Sequence, residues 1–285
     1  MSTVSLSSSA ATVRNQFVEA NGQRLAYRSM GQGSPLILAN RFRGIMDDWD
    51  PAFLDALARN YQVIIFDYSG FGLSTGEPHA GILGFATDIK NLAGALGFSR
   101  IIVGGWSFGG FAAQTVITEF PELVSHAILI GTRPPGRNDY PFEQIFMDTA
   151  YKPVNDFEDE VILFFEPESE VSRQAARLSH DRLAERTADR SVRVPLSLLQ
   201  HYGKGTADFE ADKQNARGKL ATTKTPILVI SGDHEICFPP QNWFALVDRL
   251  PTMQLIVIPQ AGHGPQHQHP ELVANYITNF IQNTQ

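Results

Sequence analysis

The chain has 285 residues, enough for one substantial hydrophobic core with an inserted subdomain but short for two independent enzymes. Hydrophobic residues make up 43% of the sequence and charged residues 19%, and no apolar run is long enough to span a bilayer, so we expect no membrane segment. A formal net charge of -7 gives no broad cationic surface for phosphates, which argues against nucleic acid as a partner and favours a small-molecule substrate.

The N-terminal segment MSTVSLSSSAATVRNQ is rich in Ser and Ala. It has no basic start followed by an apolar stretch, so it does not match a secretory signal. We expect residues 1–15 to form a flexible N-terminal arm. The single cysteine, Cys237, excludes an internal disulfide framework and provides no cysteine cluster for zinc. This usage fits a reducing compartment and predicts a cytoplasmic protein.

Strand-like runs alternate with helix-like runs along the chain. The predicted strands are Gln16–Glu19, Arg24–Ser29, Pro35–Ala39, Tyr61–Asp67, Arg100–Gly104, His126–Ile130, Pro226–Ser231 and Gln254–Pro259. The predicted helices are Pro51–Asn60, Ile82–Leu96, Phe111–Phe120, Gln241–Leu250 and Pro270–Ile281. The later strands are continuously apolar, as central parallel strands covered on both faces are. This pattern predicts a doubly wound, mostly parallel eight-stranded α/β sheet flanked by helices.

Residues 133–223 differ from the rest of the chain in composition and pattern. They begin with Arg133-Pro134-Pro135-Gly136 and then become charged, with candidate helices in FEDEVILFFE, SRQAARLSHDRLAERTA and PLSLLQHYG. We interpret them as a helical lid inserted into a core formed by residues 16–132 and 224–285, roofing the carboxyl edge of the sheet. Five apolar residues form either its underside or its own core: Phe142, Phe146, Phe164, Phe165 and Leu199.

A serine lies between a predicted strand and a predicted helix in Gly105-Trp106-Ser107-Phe108-Gly109. Strand and helix backbones crowd together at such a turn, so its neighbours must be small, and Gly105 and Gly109 meet that need. The pentapeptide alone is weak, since glycine and serine are common in turns, and a structural turn whose serine caps the helix is the alternative. The strand-to-helix setting favours Ser107 as a nucleophile.

These residues resemble the α/β-hydrolase family, and the resemblance extends over nearly the whole chain outside the arm and the lid. The segment Asp67-Tyr68-Ser69-Gly70-Phe71-Gly72-Leu73-Ser74 is similar to the family's D-x-x-G-x-G-x-S turn. The tryptophan before Ser107 is similar to the GWSxGG turn of some small carboxylesterases. The resemblance implies a serine hydrolase in which serine, acid and histidine follow in that order.

The resemblance places the histidine of the triad after the last strand. There Ala261-Gly262-His263-Gly264-Pro265 has loop glycines that let the imidazole reach the nucleophile, so His263 is the expected base. His267 and His269 lie toward the final helix and are expected at the surface or at the helix start. Three nearby histidines also suggest a metal site. We disfavour this interpretation because no matching carboxylate or cysteine spacing accompanies them.

The acid is expected in the loop Ser231-Gly232-Asp233-His234-Glu235, which follows another strand. By the family pattern the second carboxylate, Glu235, orients the histidine, although aspartate is commoner at that position. Asp233 is the alternative acid, and its other expected role is to tie down the loop through backbone amides. His234, between them, is expected to be exposed.

The oxyanion hole needs two backbone N-H groups aimed at the developing negative charge. One is expected from Phe108, the residue after the nucleophile. Where many family members show His-Gly-x, this chain has Asn40-Arg41-Phe42-Arg43-Gly44, so the second is expected from Phe42. Arginine lacks glycine's freedom at positive φ, so Arg41 puts the path of this loop in doubt.

Three further residues are possible substrate contacts. Arg41 or Arg43 would bind a substrate carboxylate or carbonyl, or both would neutralise nearby aspartates, Asp47, Asp48 and Asp50. Trp106 would line an apolar acyl pocket or pack in the core.

The leading functional hypothesis is carboxylesterase-like hydrolysis of a small to medium ester, lactone or thioester through an acyl-enzyme, with no cofactor and no metal. The same triad serves C-C bond hydrolysis, hydroxynitrile lyase chemistry and cofactor-free perhydrolysis in some relatives, so these remain alternatives. A ligand receptor built on the hydrolase fold is the hypothesis from another class.

Overall fold

One eight-stranded sheet organises residues 9–284, the part of the chain that this computed structural model describes. Its strands are β1 (Gln16–Ala20), β2 (Gln23–Met30), β3 (Ser34–Ala39), β4 (Tyr61–Phe66), β5 (Ile101–Trp106), β6 (Val124–Ile130), β7 (Ile227–Gly232) and β8 (Met253–Ile258). The order across the sheet is β1-β2-β4-β3-β5-β6-β7-β8. Strand β2 pairs antiparallel with β1 and β4, and the other neighbours are parallel. The predicted mostly parallel, eight-stranded α/β fold is confirmed.

Helices cover both faces of this sheet. Within residues 9–284 they are α1 (Pro51–Ala58), α2 (Ile82–Ala95), α3 (Phe108–Glu119), α4 (Gln144–Ala150), α5 (Phe157–Phe164), α6 (Glu170–Ala184), α7 (Leu199–Ala211), α8 (Ala216–Thr222), α9 (Gln241–Phe244), α10 (Pro265–Gln268) and α11 (Pro270–Asn283). Helices α2 and α3 pack on one face and α1 and α11 on the other. Side chains of β3 alternate between the two cores, Ile37 facing one and Leu36 and Leu38 the other.

Local signals in the sequence explain where several helices begin. Asp50 caps α1 by accepting a hydrogen bond from the amide of Ala52, and a proline follows it at the first helical position. Asp156 and Asp159 form a reciprocal capping box at the start of α5. Ser169 accepts a hydrogen bond from the amide of Ser172 at the start of α6. These caps satisfy amides that a helix start leaves without partners.

Helices α4 to α8 lie between β6 and β7, in the segment expected to be an insertion, and we call residues 133–223 the helical insertion. The three candidate helices there correspond to α5, α6 and a 3-10 turn that leads into α7. Sequence reasoning missed α4 and α8, which have seven residues each and no side-chain cap. Among residues 9–284, no helix has the length and apolarity needed to cross a membrane.

Two expectations need correction. The predicted helix over 241–250 is regular only in α9, because beyond it the amides of Leu246 and Arg249 bond three residues back instead of four. Residues 9–15 of the expected flexible arm are packed against the core. Ala10 and Val13 are buried there, and their carbonyl oxygens accept hydrogen bonds from the guanidinium of Arg186. Residues 1–8 lie outside the described residues.

The parallel strands bring distant loops to one edge of the sheet. Strand β3 leads into Asn40 and β5 into Ser107, while β7 and β8 lead into the loops that carry Glu235 and His263. Because parallel strands end on the same edge, these four loops lie together.

Candidate active site

Ser107 lies on a strained turn between β5 and α3. Its backbone has φ 57° and ψ -120°, a conformation that residues other than glycine rarely adopt. The turn is so tight that a Cβ at Gly105 would collide with the carbonyl of Gly109, and one at Gly109 with the carbonyl of Ala39. The two glycines are therefore required for the close contact of strand and helix that presents the serine at the sheet edge.

His263 and Glu235 form a buried pair. Nδ1 of His263 donates a hydrogen bond of 2.6 Å to Oε2 of Glu235. Oε1 of Glu235 accepts hydrogen bonds from the amides of Cys237, at 2.8 Å, and Phe238, at 3.1 Å. Because Nδ1 keeps its proton and donates it to the carboxylate in this hydrogen bond, Nε2 is left as the basic nitrogen. Within residues 9–284, this Nε2 has no hydrogen-bond partner.

Asp233 has other partners. Its Oδ1 bonds to Nδ1 of His234 at 2.7 Å and accepts the amide of Ala261 at 3.3 Å. The hydrogen bond that His234 donates to Asp233 raises the pKa of His234, which is half exposed as expected. Asp233 thus joins its own loop to the one that carries His263, while the imidazole of His263 bonds to Glu235.

Trp106 packs in the core next to the histidine loop. It is 1% exposed, and its Nε1 donates a hydrogen bond of 2.8 Å to the carbonyl oxygen of His263. Its ring lies against Phe164 and His267. Trp106 was expected either to line an apolar acyl pocket or to pack in the core, and in the structure it packs in the core.

Of the two positions expected for His267, the surface one is wrong, because this residue is buried within the short helix α10 that precedes the final helix. Its Nδ1 lies 3.0 Å from Oγ of Ser179, which also donates to Asp50. Arg182 of α6 pairs with the same Asp50 carboxylate at 2.6 Å. Burial lowers the pKa of His267 to about 4. Burial also lowers the pKa of the half-buried His269. Within the described chain, no group of three or more His, Cys, Asp or Glu side chains is arranged to hold a metal ion.

The loop after β3 is fixed by Asn40. Its amide nitrogen donates to the carbonyl of Phe66 at 2.7 Å, and its Oδ1 accepts from Nε1 of Trp49 at 2.7 Å. The positive φ in this loop is at Arg43, with 61°, and not at Arg41. The amides of Phe42 and Phe108 donate to no protein acceptor within residues 9–284.

The two loop arginines differ in their partners. Arg41 lies 3.3 Å from Asp48, and its Nη1 donates to the carbonyl of Phe42 at 2.8 Å. Arg43 pairs with none of the three aspartates proposed for it. Its guanidinium donates instead to three carbonyl oxygens at the end of α4 of the helical insertion and just after it, those of Ala150, Lys152 and Pro153, at 3.2, 2.7 and 2.6 Å. The same loop therefore contacts both the sheet edge and the insertion.

A narrow cavity of about 20 Å³ lies between the sheet edge and the helical insertion. Its lining is Arg41, Phe42, Arg43, Ser107, Phe146, Ala150, Asn155, Leu163, Phe164 and His263. A volume of this size holds about one water molecule. Of the five apolar residues weighed for the underside, Phe146 and Phe164 line the cavity, Phe165 and Leu199 pack in hydrophobic clusters, and Phe142 is exposed.

Tyr202 of α7 was missed by sequence reasoning. Its ring is fully buried between Phe42 and Phe108, at centroid distances of 5.2 and 5.0 Å. Its position in PLSLLQHYG carries no local signal, because only the packing of the insertion on the core brings it to these two residues. Tyr202 thus links the helical insertion to both candidate oxyanion-hole residues.

Comparison with known proteins agrees with this architecture. The family model for the alpha/beta hydrolase fold matches residues 35–270. The proline iminopeptidase PfmaB of Pestalotiopsis fici is 25% identical, and the alignment covers 94% of this chain and 99% of that protein. The pimeloyl-[acyl-carrier protein] methyl ester esterase of Legionella pneumophila is 23% identical, with coverage of 88% and 97%. The solved structure of an alpha/beta hydrolase fold protein from Chitinophaga pinensis has a TM-score of 0.85 and 28% identity, with coverage of 97% and 100%.

The matched region runs from β3 to the start of α11, so it contains the turn at Ser107 and the loops of Glu235 and His263. The resemblance inferred from the Gly105–Gly109 turn and the Asp67–Ser74 turn is confirmed. The chain therefore belongs to the alpha/beta hydrolase fold family, as a hydrolase.

Proposed function

We propose that this protein is a serine hydrolase that cleaves a small to medium carboxylic ester, lactone or thioester through an acyl-enzyme intermediate. Ser107 is the nucleophile, His263 the general base and Glu235 the acid that orients it. The observation that carries the proposal is the buried 2.6 Å bond between His263 and Glu235, with the unpartnered Nε2 of His263 in the cavity that Ser107 also lines.

In the first half of the reaction, Nε2 of His263 takes the proton of Ser107 as Oγ attacks the substrate carbonyl carbon. The imidazolium that forms is stabilised by the Glu235 carboxylate. The carbonyl oxygen becomes an oxyanion, and the free amides of Phe42 and Phe108 are the proposed donors to it. His263 then gives its proton to the departing alcohol or thiol, which leaves Ser107 acylated.

In the second half, His263 takes a proton from water, and the resulting hydroxide attacks the acyl carbonyl. Collapse of the second tetrahedral intermediate returns the proton to Ser107 and releases the carboxylic acid. These steps balance without a cofactor. A serine hydroxyl is a poor nucleophile at neutral pH, so the reaction depends on the histidine being held in the tautomer that Glu235 imposes.

The cavity at Ser107 is too small for any ester, so we propose that the helical insertion acts as a lid that moves for substrate to enter. Phe146, Leu163 and Phe164 give the cavity an apolar wall on the insertion side, which suits an apolar portion of the substrate. This lid also explains why Arg43 and Tyr202 tie the insertion to the sheet edge.

The test is labelling by a fluorophosphonate together with turnover of a panel of esters graded in acyl length. We expect labelling at Ser107, loss of both labelling and turnover in Ser107→Ala, and wild-type behaviour in Ser197→Ala, which removes an exposed hydroxyl of the insertion. Ester turnover retained by a correctly folded Ser107→Ala would refute the proposal. Rapid multiple turnover would also exclude a receptor that hydrolyses its ligand slowly.

A further inference from the structure

Arg41 is a largely buried cation with few partners. Its side chain is 17% exposed, and of its five N-H groups one donates a hydrogen bond within the described chain, to the carbonyl of Phe42. Its Nε is buried without any partner. Burying a charge is costly unless it is well paired and hydrogen-bonded, so a guanidinium with one ion pair at 3.3 Å and one hydrogen bond is suited to receive an anion.

The carboxylate nearest to Arg41 is already neutralised by another arginine. Asp48 accepts a hydrogen bond of 2.7 Å from Nη1 of Arg193, whereas Nη2 of Arg41 lies 3.3 Å away. Glu160, a second carboxylate whose charge acts on Arg41, is bonded to His180 at 2.7 Å. Two arginines around one aspartate leave an excess of positive charge beside the cavity, and Arg43 adds another cation with only carbonyl partners.

The position of the guanidinium relates it to the reacting atoms. It stacks on Phe164, with 4.7 Å between Cζ and the ring centroid, and faces Trp106 at 5.3 Å. The ring of Phe164 lies parallel to that of His263, 6.4 Å from it. Arg41 also directly precedes Phe42, whose amide is a proposed donor to the oxyanion. An anion bound to Arg41 would therefore lie only a few bonds from a carbonyl attacked by Ser107.

We propose that the substrate carries a carboxylate that binds to Arg41, so that the preferred substrates are short esters or related acyl compounds with a free acid group near the scissile carbonyl. This inference rests on the proposed serine hydrolase function and names its substrate class. The planar guanidinium offers parallel N-H donors that match the two oxygens of a carboxylate, and stacking on Phe164 fixes its plane. Ten residues line the cavity, two of them arginines and none an aspartate or glutamate.

The other role for Arg41 is that of a structural counterion to Asp48. The two roles differ in what they predict for substrates. A structural arginine affects charged and neutral substrates alike, because its loss disturbs the shared loop of Phe42. A binding arginine affects the ratio between them.

The experiment compares monoethyl succinate with ethyl pentanoate, two esters of similar length of which only the first carries a carboxylate. Hydrolysis is followed by proton release. We expect the wild type to prefer the succinate monoester in kcat/KM, and Arg41→Gln to reduce the ratio of the two kcat/KM values by roughly 30-fold. Arg41→Lys keeps the charge without the planar fork, and its ratio of the two kcat/KM values is expected to lie between those of the wild type and Arg41→Gln.

Arg190→Gln is the matched control. It also removes one positive charge, but Arg190 is half exposed and lies near Asp47, outside the cavity. It is expected to leave the ratio within about twofold of the wild type, because exposed charges are screened. Thermal melting of each variant identifies loss of folding separately.

The outcomes separate this inference from the proposed function. If Ser107 is labelled and both esters are cleaved without preference, or Arg41→Gln lowers both kcat/KM values equally, the carboxylate site is refuted while the serine hydrolase stands. If neither ester is cleaved and the fluorophosphonate does not label Ser107, the proposed function itself fails. A selective loss in Arg41→Gln that Arg190→Gln does not share supports the carboxylate site.

Discussion

Nε1 of Trp106 donates a 2.8 Å hydrogen bond to the main-chain oxygen of His263, so the residue before the candidate nucleophile holds the loop of the candidate base. The two residues lie 157 positions apart in the chain. Both are 1% exposed, and no water can replace a partner lost from such a buried contact.

Trp106→Phe is expected to lower kcat more than it raises KM. The phenyl ring keeps an apolar side chain in place but leaves the carbonyl of His263 without its donor, which costs about 1–3 kcal/mol of stability. The matched control is Trp243→Phe, because Trp243 is equally buried and donates to the carbonyl of Thr132 instead of to that of His263. Steady-state kinetics and urea denaturation measure both effects. A loss of kcat as large in Trp243→Phe would show that Trp106 does not position His263.

Glu235→Gln is expected to lower kcat by roughly 10⁴-fold with little change in the fold. The amide has nearly the same size but cannot stabilise the imidazolium or hold His263 in the required tautomer. Asp233→Asn is the natural comparison, since Asp233 bonds to His234 and to the amide of Ala261. We expect it to change kcat by less than about fivefold, with a modest loss of stability. A larger loss from Asp233→Asn would reverse the assignment of the acid.

The sheet and the turn at Ser107 could be predicted because their signals are local. Apolar runs, glycine spacing and a strand followed by a helix are all contained within short segments. The spacing of Glu235 after its strand and of His263 after the next one extends this logic, because parallel strands end on one edge. The closeness of these residues then follows from the topology of the sheet.

Long-range packing explains the errors. A surface position, one of the two expected for His267, is wrong because α6 of the insertion covers this residue through Ser179 and Arg182. Residues 9–15 resemble a loose arm in composition, yet Arg186 from the insertion binds their carbonyl groups. In each case the partner lies more than 80 positions away in the chain, so the periodicity of the local sequence carries no information about the contact.

The buried His267 predicts a stability that falls in acid. Its pKa is about 4 in the folded protein and near 6.5 when exposed, so between these values the unfolded chain binds more protons. Lowering the pH from 6.5 to 4 should therefore destabilise the fold by about 3 kcal/mol through this group. Ser179 and Trp106 contact its imidazole, and the charges that act on it are those of Asp50, Arg41, Asp48 and Arg182.

Urea denaturation across this pH range, in the wild type and in His267→Gln, isolates the contribution. Comparing the wild type with His267→Gln is necessary because Asp67 has the opposite effect on the pH dependence of stability. Burial raises the pKa of Asp67 to about 6, so its contribution to stability falls as the pH rises from 3.8 to 6. Ser179→Ala keeps the titrating imidazole and should retain the wild-type pH dependence at lower stability. An unchanged pH dependence in His267→Gln would show that this histidine is not the responsible group.

Arg43 is expected to restrain the opening of the helical insertion. Its three hydrogen bonds to Ala150, Lys152 and Pro153 join the loop of Phe42 to the end of α4 and the residues that follow it. Its φ of 61° is one that glycine adopts more easily. Arg43→Gly and Arg43→Ala both remove the guanidinium, so both should speed fluorophosphonate labelling of Ser107 severalfold if opening limits access to the cavity.

The two Arg43 variants should differ in stability. Alanine keeps the strain of the positive φ and glycine relieves it, so Arg43→Gly should be the more stable of the two by about 1 kcal/mol, the reverse of their order in a helix. Labelling rates and thermal melting check the two effects separately. Labelling slower than in the wild type, with both variants folded, would mean that Arg43 holds the oxyanion loop in its reactive form instead of restraining the insertion. Equal stability of the two variants would show that the positive φ relaxes once the guanidinium no longer holds the loop to the insertion.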